Sequence, residues 1–468
     1  MTTPSSKNKI SNLDNQRQHF FSHESLSGFN AEQGITYLSS LDKSKFSSIV
    51  LNKNKKFPLI QPRGGFPTFQ KQFLLSKSLA DAGADFIPLT IDSYTRLNDY
   101  DRAEILLQES EDLSKDLLNG YPLIAHGYEI TRNIYNEIDL PISLRHGTPD
   151  ARLLVENALA SGITEIEGGA LCYSLPYASK FPIDRSLLYW QYIDRICAEY
   201  SNDQRKIHRE SFGPLTATLV PPVIVALVQI LELLLAAEQG ITSFSVSFSQ
   251  SGSLEQDIAL ATILRDESKK YLQMFGFHNI DVYLVFHQWM GAFPYDKKKA
   301  EKLIGDSAII SAMINADKIV IKTKDEAFGV PTIESNVLAV QQVKNIFNNI
   351  SKITRPDNPR IQEEINLISQ ELDEILNFIF SMPGQSFASS IYHSIKRGCI
   401  DIPFSPHYQN ANKLLSIRDK NNSIRIKDPG LLPITMSSIN KEKELLEMDK
   451  INESNIIDKI TNDILIMA

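Results

Sequence analysis

A repeated alternation of short apolar runs and longer helical patterns constrains the fold of this chain more than any other feature. Helical segments such as Arg152 to Ala160, Leu254 to Phe275 and Lys297 to Met313 separate the apolar runs. Strands that alternate with helices form a parallel sheet, and eight such units predict an α/β fold of the (β/α)8 TIM-barrel type. The eight predicted strands are Phe57–Gly65, Ala84–Asp92, Tyr121–Gly127, Leu140–Gly147, Gly162–Gly169, Ile241–Gln250, Asp281–Trp289 and Ala316–Thr323.

The alternation also divides the chain into three parts. Residues 51–350 contain it, and we predict that they form the barrel and carry the active site. Residues 1–50 are polar and predict a short N-terminal extension with one helical patch at 31–41. Residues 351–468 predict a helical C-terminal extension. Its long charged helices are expected over Ile361–Met382 and Lys441–Ala468, around the loop Asp401–Lys413.

One gap in the alternation separates the fifth run from the sixth. It contains a predicted helix over Ser186–Tyr200, the loop Glu210–Pro222, and the most apolar stretch of the chain, Val223 to Ala237. That stretch is too short to span a bilayer and contains Gln229 and Glu232. We therefore expect a buried helix that begins after two prolines and ends at a glycine.

Composition argues against several classes of partner and compartment. The chain has 48 Lys and Arg residues against 56 Asp and Glu, a net charge of −8, which argues against a nucleic-acid or anionic membrane surface. Its three cysteines, Cys172, Cys197 and Cys399, share no close spacing, so we expect no disulfide framework. Residues 1–16 show neither an apolar core nor a cleavage signature. We therefore expect a cytoplasmic protein without a membrane partner.

Polar side chains gather where the predicted strands end, which is the end of a barrel that carries chemistry. Arginine and lysine side chains aimed into one mouth would repel one another, and an anionic ligand would relieve that repulsion. Arg96, which follows the second strand, adds another guanidinium group. The polar residues at the strand ends are Arg63, Thr90, Asp92, His126, Arg145, His146, Glu167, Gln250, His287 and Lys322.

The residue types at the mouth indicate the chemistry of a ligand. Arginine can grip a carboxylate through two parallel hydrogen bonds, so Arg63, Arg96 and Arg145 suit a ligand with two carboxylates, or one with a phosphate. Glu167 could neutralise an arginine, act as a base or hold an ammonium group. An acidic amino acid would satisfy all four residues at once. His287 fits a core position as well as a functional one.

Other catalytic signatures do not occur in the sequence. It contains no HxH, HExxH or CxxC spacing, so we expect no metal site. It also lacks a GxGxxG fingerprint, a P-loop and a Gly-x-Ser-x-Gly elbow. A nucleotide-binding fold and a serine hydrolase are therefore not supported.

A series of motifs in one order makes the chain similar to a known family. They are QPRGG, GADFIPLTIDSYTR, LLNGYP, LRHGTPDARLL, EGGALCYSLPYA, WQYIDR, ESFGPLTATLVPP, LLAAEQG, VFHQWMGAFP, IVIKTKDEAFGVPT and DIPFSPHYQNANK. Together they resemble the large (epsilon) catalytic subunit of glutamate mutase, also called methylaspartate mutase, from about Ser39 to past Asp419. The resemblance implies a barrel that interconverts L-glutamate and threo-3-methyl-L-aspartate by a radical rearrangement of the carbon skeleton, which requires adenosylcobalamin.

The resemblance also implies roles for individual residues. Arg63, Arg96 and Arg145 match the arginines that grip the two substrate carboxylates. Glu167 matches the carboxylate that meets the substrate amino group. His146, Tyr173 and Tyr177 match further substrate contacts. The positions that match residues lining the cobalamin or its adenosyl group are Gly65, Asn119, Pro176, Phe293, Lys322, Glu326 and Val330.

The sequence differs from the family pattern in places, and these differences leave alternatives open. A third glycine is missing after Glu167, and the segment Ser245–Ser253 replaces a more glycine-rich one. A mutase acting on a related amino diacid therefore remains an alternative, as does a non-catalytic barrel that binds acidic amino acids. No DxHxxG motif occurs to supply the lower ligand of cobalt. The resemblance implies that a small cobalamin-binding (sigma) subunit brings that ligand, in a heterotetramer built on a homodimer of this chain.

Overall fold

Eight parallel strands form the centre of the computed structural model, which describes residues 13–213, 219–351, 353–382, 386–447 and 456–468. From the second strand to the eighth, each strand pairs with the next in chain order, and the eighth pairs with the first. Between the first and second strands, the Asp85 amide donates to the Ile60 carbonyl (2.9 Å) and the Thr90 amide to the Gly64 carbonyl (3.1 Å). The predicted (β/α)8 barrel is confirmed. Its strands are β1 (Leu59–Gln61), β2 (Ile87–Thr90), β3 (Ile142–Arg145), β4 (Glu165–Glu167), β5 (His208–Glu210), β6 (Ser243–Ser249), β7 (Asp281–His287) and β8 (Lys318–Val320).

Helices surround this barrel and continue into both extensions. The helices that precede or accompany the barrel are α1 (Leu13–Phe21), α2 (Ala31–Ser40), α3 (Ser47–Leu51), α4 (Phe69–Ala82), α5 (Ser93–Arg96), α6 (Tyr100–Asp112), α7 (Leu123–Asn136), α8 (Arg152–Ala160), α9 (Ser174–Tyr177), α10 (Ile183–Glu199), α11 (Pro222–Gln239), α12 (Leu254–Met274), α13 (Lys297–Met313) and α14 (Ile333–Asn349). The C-terminal elements are α15 (Pro359–Ser381), α16 (Phe387–Lys396), β9 (Leu415–Arg418), β10 (Ile424–Asp428), α17 (Met436–Glu447) and α18 (Ile456–Ile464).

One predicted strand is wrong and one observed strand was missed. The segment Tyr121–Gly127 makes only a single bridge, between Tyr121 and Ile91, before α7 begins. The true fifth strand is β5, inside the gap that the sequence analysis filled with a helix and a loop. Its sequence is HRE, and all three side chains are buried, where they pair with other charged and polar groups. An apolar pattern cannot reveal such a strand.

The apolar helix of the gap is a core element, as predicted. α11 begins at Pro222, and Gly240 ends it in the left-handed conformation (φ 102°), which glycine adopts without strain. By length and composition α11 is apolar enough to cross a membrane, yet every residue of it is buried inside the fold. A buried core helix passes the same test.

Both extensions pack against the barrel helices. Arg17 of α1 reaches α8, where its Nε lies 2.9 Å from Glu156 Oε1. α15 packs on α11 and α12. The C-terminal extension is not purely helical, because β9 and β10 form an antiparallel hairpin that the sequence analysis missed. Of the predicted helix Lys441–Ala468 and the predicted loop Glu210–Pro222, residues 448–455 and 214–218 lie outside the described residues.

Candidate active site

A cavity of about 290 Å³ opens at the carboxyl ends of the barrel strands. The structure brings together around it all seven residues that the sequence analysis assigned to the substrate. Thr90, Gly147, Phe212 and Met290 complete the wall, and of these only Thr90 was singled out from the sequence. The seven predicted residues are Arg63, Arg96, Arg145, His146, Glu167, Tyr173 and Tyr177.

A buried ion pair forms one side of the cavity. Arg145, the last residue of β3, donates from Nη2 to Oε1 of Glu167, the last residue of β4, over 2.5 Å. Burial raises the pKa of Glu167 to about 7 although Arg145 lowers it. Tyr173 adds a hydrogen bond to the same carboxylate. A carboxyl group with a pKa near 7 is partly protonated at neutral pH. Such a group can exchange its arginine partner for a ligand group.

His146 is fixed by two hydrogen bonds beside this pair. Its Nδ1 accepts from the Thr148 amide (3.0 Å), so its Nε2 carries the proton and donates to the Glu167 carbonyl (2.8 Å). Burial lowers the pKa of His146 to about 3, and the imidazole is neutral near pH 7. His146 therefore faces the cavity as a rigid, uncharged wall.

Arg63 and Arg96 supply the other two guanidinium groups of the cavity. Arg63 follows β1, is one-third exposed, and lies 3.4 Å from Glu326 Oε1. Arg96 donates from Nε to the Ile91 carbonyl (2.6 Å) and makes no ion pair within the described part of the chain. Burial lowers the pKa of Arg96, and the positive charge of Arg63 lowers it further. An anion between them would relieve this unfavourable arrangement.

The turn after β4 places the two tyrosines, and a buried glutamate of α11 shapes it. Glu232 accepts hydrogen bonds from the backbone amides of Leu171 (2.7 Å) and Cys172 (2.9 Å). A side chain at Gly169 would lie within 2.5 Å of that carboxyl group, so this position requires glycine. Tyr177 follows on α9 and is half exposed at the mouth.

Three of the predicted cofactor residues contact one another at the rim after β7 and β8. The ammonium of Lys322 lies 2.9 Å from Glu326 Oε1 and 5.2 Å from the ring centre of Phe293. Burial lowers the pKa of Lys322 to about 8. Burial alone would raise the pKa of Glu326, but Lys322 and Arg63 hold it below its usual range.

The other four residues predicted to bind the cofactor lie on loops or, for Pro176, on a short helix. Gly65 packs so tightly that a side chain there would meet the Thr90 carbonyl at 2.3 Å. Asn119 is exposed and accepts a hydrogen bond from the Ser93 amide. Pro176 lies in α9, and Val330 is exposed beyond β8.

Three polar strand-end residues have structural roles instead. Asp92 caps α5 by accepting from the Tyr94 and Thr95 amides. His126 lies in α7 and bonds to the Pro67 carbonyl over 2.8 Å. Gln250 accepts from the Ser307 hydroxyl.

A layer of buried charged side chains lies beneath the cavity and was not predicted from the sequence. The ammonium of Lys318 lies 2.6 Å from oxygens of Glu165, Glu210 and Gln61, and all four residues are fully buried. They come from four different strands, β1, β4, β5 and β8. The available signal was a charged residue inside each short strand, in KIV, EIE and HRE, where an apolar residue is usual.

This architecture defines a barrel enzyme with a small, charged cavity at the catalytic end of a parallel (β/α)8 sheet. The chain belongs to the methylaspartate mutase E chain (MutE) family, whose sequence model matches residues 41–463. Proteins of this family are mutases, so the chain is an isomerase.

Two glutamate mutase epsilon subunits of other bacteria support this membership. The glutamate mutase epsilon subunit of Escherichia coli O157:H7 is 38% identical over 407 residues, which cover 86% of this chain and 84% of that protein. The epsilon subunit of Treponema denticola is 38% identical over 419 residues, covering 89% and 86%. Among solved structures, tryptophan synthase subunit alpha from Legionella pneumophila str. Paris is 12% identical with a TM-score of 0.34, over 68% of this chain and 98% of that one.

Proposed function

We propose that the chain is the catalytic barrel subunit of an adenosylcobalamin-dependent mutase that interconverts L-glutamate and threo-3-methyl-L-aspartate. One observation carries the proposal: the three arginines, Glu167, His146 and both tyrosines line a single cavity in a chain of the methylaspartate mutase family. The carbon skeletons of both amino acids are small enough for a cavity of about 290 Å³.

The charges around the cavity match such a ligand. Five cationic groups face four carboxylates there and in the layer beneath, which leaves one positive charge in excess. L-glutamate and 3-methylaspartate each carry two carboxylates and one ammonium group, and their net charge of −1 would balance it. The groups concerned are Arg63, Arg96, Arg145, Lys318 and Lys322 against Glu165, Glu167, Glu210 and Glu326.

The protein's contribution to the reaction is to hold and orient the reacting pieces. Guanidinium groups form planar, two-bond contacts with carboxylates and keep their protons, since their pKa lies above about 12. Such fixed contacts hold the fragments for recombination, an orientation effect worth several kcal/mol. The neutral ring of His146 and the buried ring of Tyr173 exclude water beside them.

The residues at the rim fit adenosylcobalamin. Lys322 supplies a buried donor and Glu326 a partly buried acceptor, both suited to ribose hydroxyls, and Phe293 offers an apolar surface beside them. Exposed apolar side chains, Val330 and Tyr177 among them, fit the edge of a large flat ring. When bound, adenosylcobalamin supplies the homolytic chemistry that generates the organic radical.

A second subunit completes this proposed enzyme. The chain has no DxHxxG motif for the lower cobalt ligand, and its curated relatives are each named as a subunit. We infer that a small cobalamin-binding sigma subunit supplies the ligand, and that a homodimer of this chain forms the core of a heterotetramer.

Reconstitution tests the proposal. The purified chain should be inactive alone and should convert L-glutamate to 3-methylaspartate, detected by NMR, once a DxHxxG subunit and adenosylcobalamin are added. Turnover by the chain without that subunit would contradict the two-subunit arrangement. Binding of L-glutamate without any turnover in the complete mixture would instead favour a non-catalytic barrel.

A further inference from the structure

When Glu167 is ionised, the layer beneath the cavity carries an uncompensated negative charge. Three carboxylates, those of Glu165, Glu167 and Glu210, face two cations, Arg145 and Lys318, through contacts of 2.5 to 3.6 Å. None of the five side chains is more than 5% exposed. A buried net charge is costly, so this layer favours one additional cationic group.

Three converging acceptors mark the place where that group would bind. Oxygens of Glu167 and Glu210 and a ring nitrogen of His287 all lie within 4.8 Å of one another. His287 is fully buried, and neither of its nitrogens has a hydrogen-bond partner among the residues described; its Nε2 lies 3.7 Å from Glu210 Oε1. Three acceptors no more than 4.8 Å apart can all be reached by one atom placed about 2.8 Å from each, the length of a charge-assisted hydrogen bond.

An ammonium group fits this arrangement better than a metal ion does. It brings one positive charge and three N–H donors, one for each acceptor. Burial lowers the pKa of His287 to about 4, so its ring is neutral and keeps one nitrogen free to accept. A divalent metal would add two charges where Arg145 and Lys318 already lie within 2.6 Å of the carboxylates.

We propose that Glu210 and His287 join Glu167 in binding the ammonium group of the substrate, which makes them specificity-determining residues. This inference rests on the proposed function and deepens it. Glu167 lines the cavity and the other two acceptors lie beyond it, so a ligand bound by the arginines would direct its amine toward the layer beneath. Diacids without an amine would leave the negative charge unbalanced.

The test compares L-glutamate with glutarate, which has the same two carboxylates but no amine. Dissociation constants are measured by calorimetry on the full chain with its cobalamin subunit, loaded with hydroxocobalamin so that no turnover occurs. Glu210→Gln should weaken L-glutamate binding by roughly 10- to 100-fold and leave glutarate binding within about twofold. His287→Phe should weaken L-glutamate selectively by a smaller factor, roughly 5-fold.

A matched control separates this role from a structural one. Glu165→Gln removes a charge from the same ion cluster, but Glu165 is not one of the three converging acceptors. Because it removes the same charge but keeps all three acceptors, it should change the ratio of the two dissociation constants several-fold less than Glu210→Gln does. An equal loss of both ligands in Glu210→Gln would overturn the inference, and His287→Phe decides it if that variant does not fold. Wild-type complex that binds neither ligand would instead overturn the proposed function.

Discussion

Arg145 and Glu167 share a hydrogen bond of 2.5 Å that is closed to solvent, yet only one side of the guanidinium is used. Its Nη1 has no hydrogen-bond partner among the described residues, and Glu210 Oε1 lies 3.6 Å from it. Glu167 therefore fixes the plane of the guanidinium and leaves donors free. An arginine held in this way is prepared to accept a ligand carboxylate.

Arg145→Lys tests whether the planar fork matters. We expect kcat/KM to fall by 100-fold or more on an order-of-magnitude scale, because a point ammonium cannot make two parallel hydrogen bonds. Arg102→Lys, at an exposed position of α6, serves as the control and should leave kinetics unchanged. Near wild-type activity in Arg145→Lys would mean that the arginine is structural.

Glu167→Gln should separate catalysis from stability. The change keeps the shape of the side chain but removes its charge, and turnover should fall by roughly 10²-fold. The melting temperature should hardly change, since two cations, Arg145 and Lys318, then face two carboxylates, Glu165 and Glu210.

The deciding measurement for Glu167→Gln is a melting curve beside a single-turnover assay with saturating cobalamin subunit. A stable but nearly inactive protein supports a role on the substrate. A loss of several kcal/mol in stability with a proportionate loss of activity would show that Glu167 only neutralises Arg145.

Ligand binding should release a proton from Glu167. In the empty site burial raises the pKa of Glu167 to about 7, with Arg145, Glu210, Tyr173 and Lys318 acting on the same carboxylate. A bound ammonium group would lower that pKa. Calorimetry of L-glutamate binding at pH 6.5 in buffers of different ionisation enthalpy should then show release of about 0.5 to 1 proton. Glu167→Gln should abolish the release, and a wild-type value of zero would contradict the prediction.

The same pKa shift has a consequence for the empty protein. The ordinary pKa of the group is 4.5, so between pH 4.5 and about 7 the folded chain binds more protons at Glu167 than the unfolded chain does. The contribution of Glu167 to stability is therefore complete below pH 4.5 and is lost as the pH rises to about 7.

The sequence predicted the barrel and the lining of the cavity for different reasons. Apolar runs and helical spacing revealed seven of the eight strands, because buried parallel strands are usually apolar. β5 was not predicted, since its charged side chains are satisfied by partners outside the strand, such as Asp194 for Arg209 (2.6 Å). The prediction includes Tyr121–Gly127, which is not a strand, and omits β5, so the predicted number of strands is still eight.

The layer beneath the cavity could not be predicted from local pattern. Lys318 and Glu210 lie in short strands 108 positions apart, and nothing in either strand indicates the partner of the other. Only closure of the barrel brings them within 2.6 Å. The arginines were predictable because each ends or follows a strand, and the carboxyl ends of all barrel strands meet at one mouth.

The loop Asp401–Lys413 links the C-terminal extension to the cavity. Within it, Ser405 donates to the Leu175 carbonyl and the Tyr408 amide to the Ser179 carbonyl, on either side of Tyr177. Asp401 organises the loop: its fully buried carboxylate accepts four hydrogen bonds of 2.7 to 2.9 Å, three of them from backbone amides.

Asp401→Asn should therefore disturb both stability and the cavity. The new amide group would face backbone N–H donors, leaving buried groups unpaired at a cost of about 3 kcal/mol. We expect a lower melting temperature, faster proteolysis near Tyr177, and a rise in KM for L-glutamate. Asp428→Asn is the control, because Asp428 is exposed and accepts a hydrogen bond from the Gly430 amide. If Asp401→Asn lowered the melting temperature and left KM unchanged, the loop would stabilise the extension without positioning Tyr177.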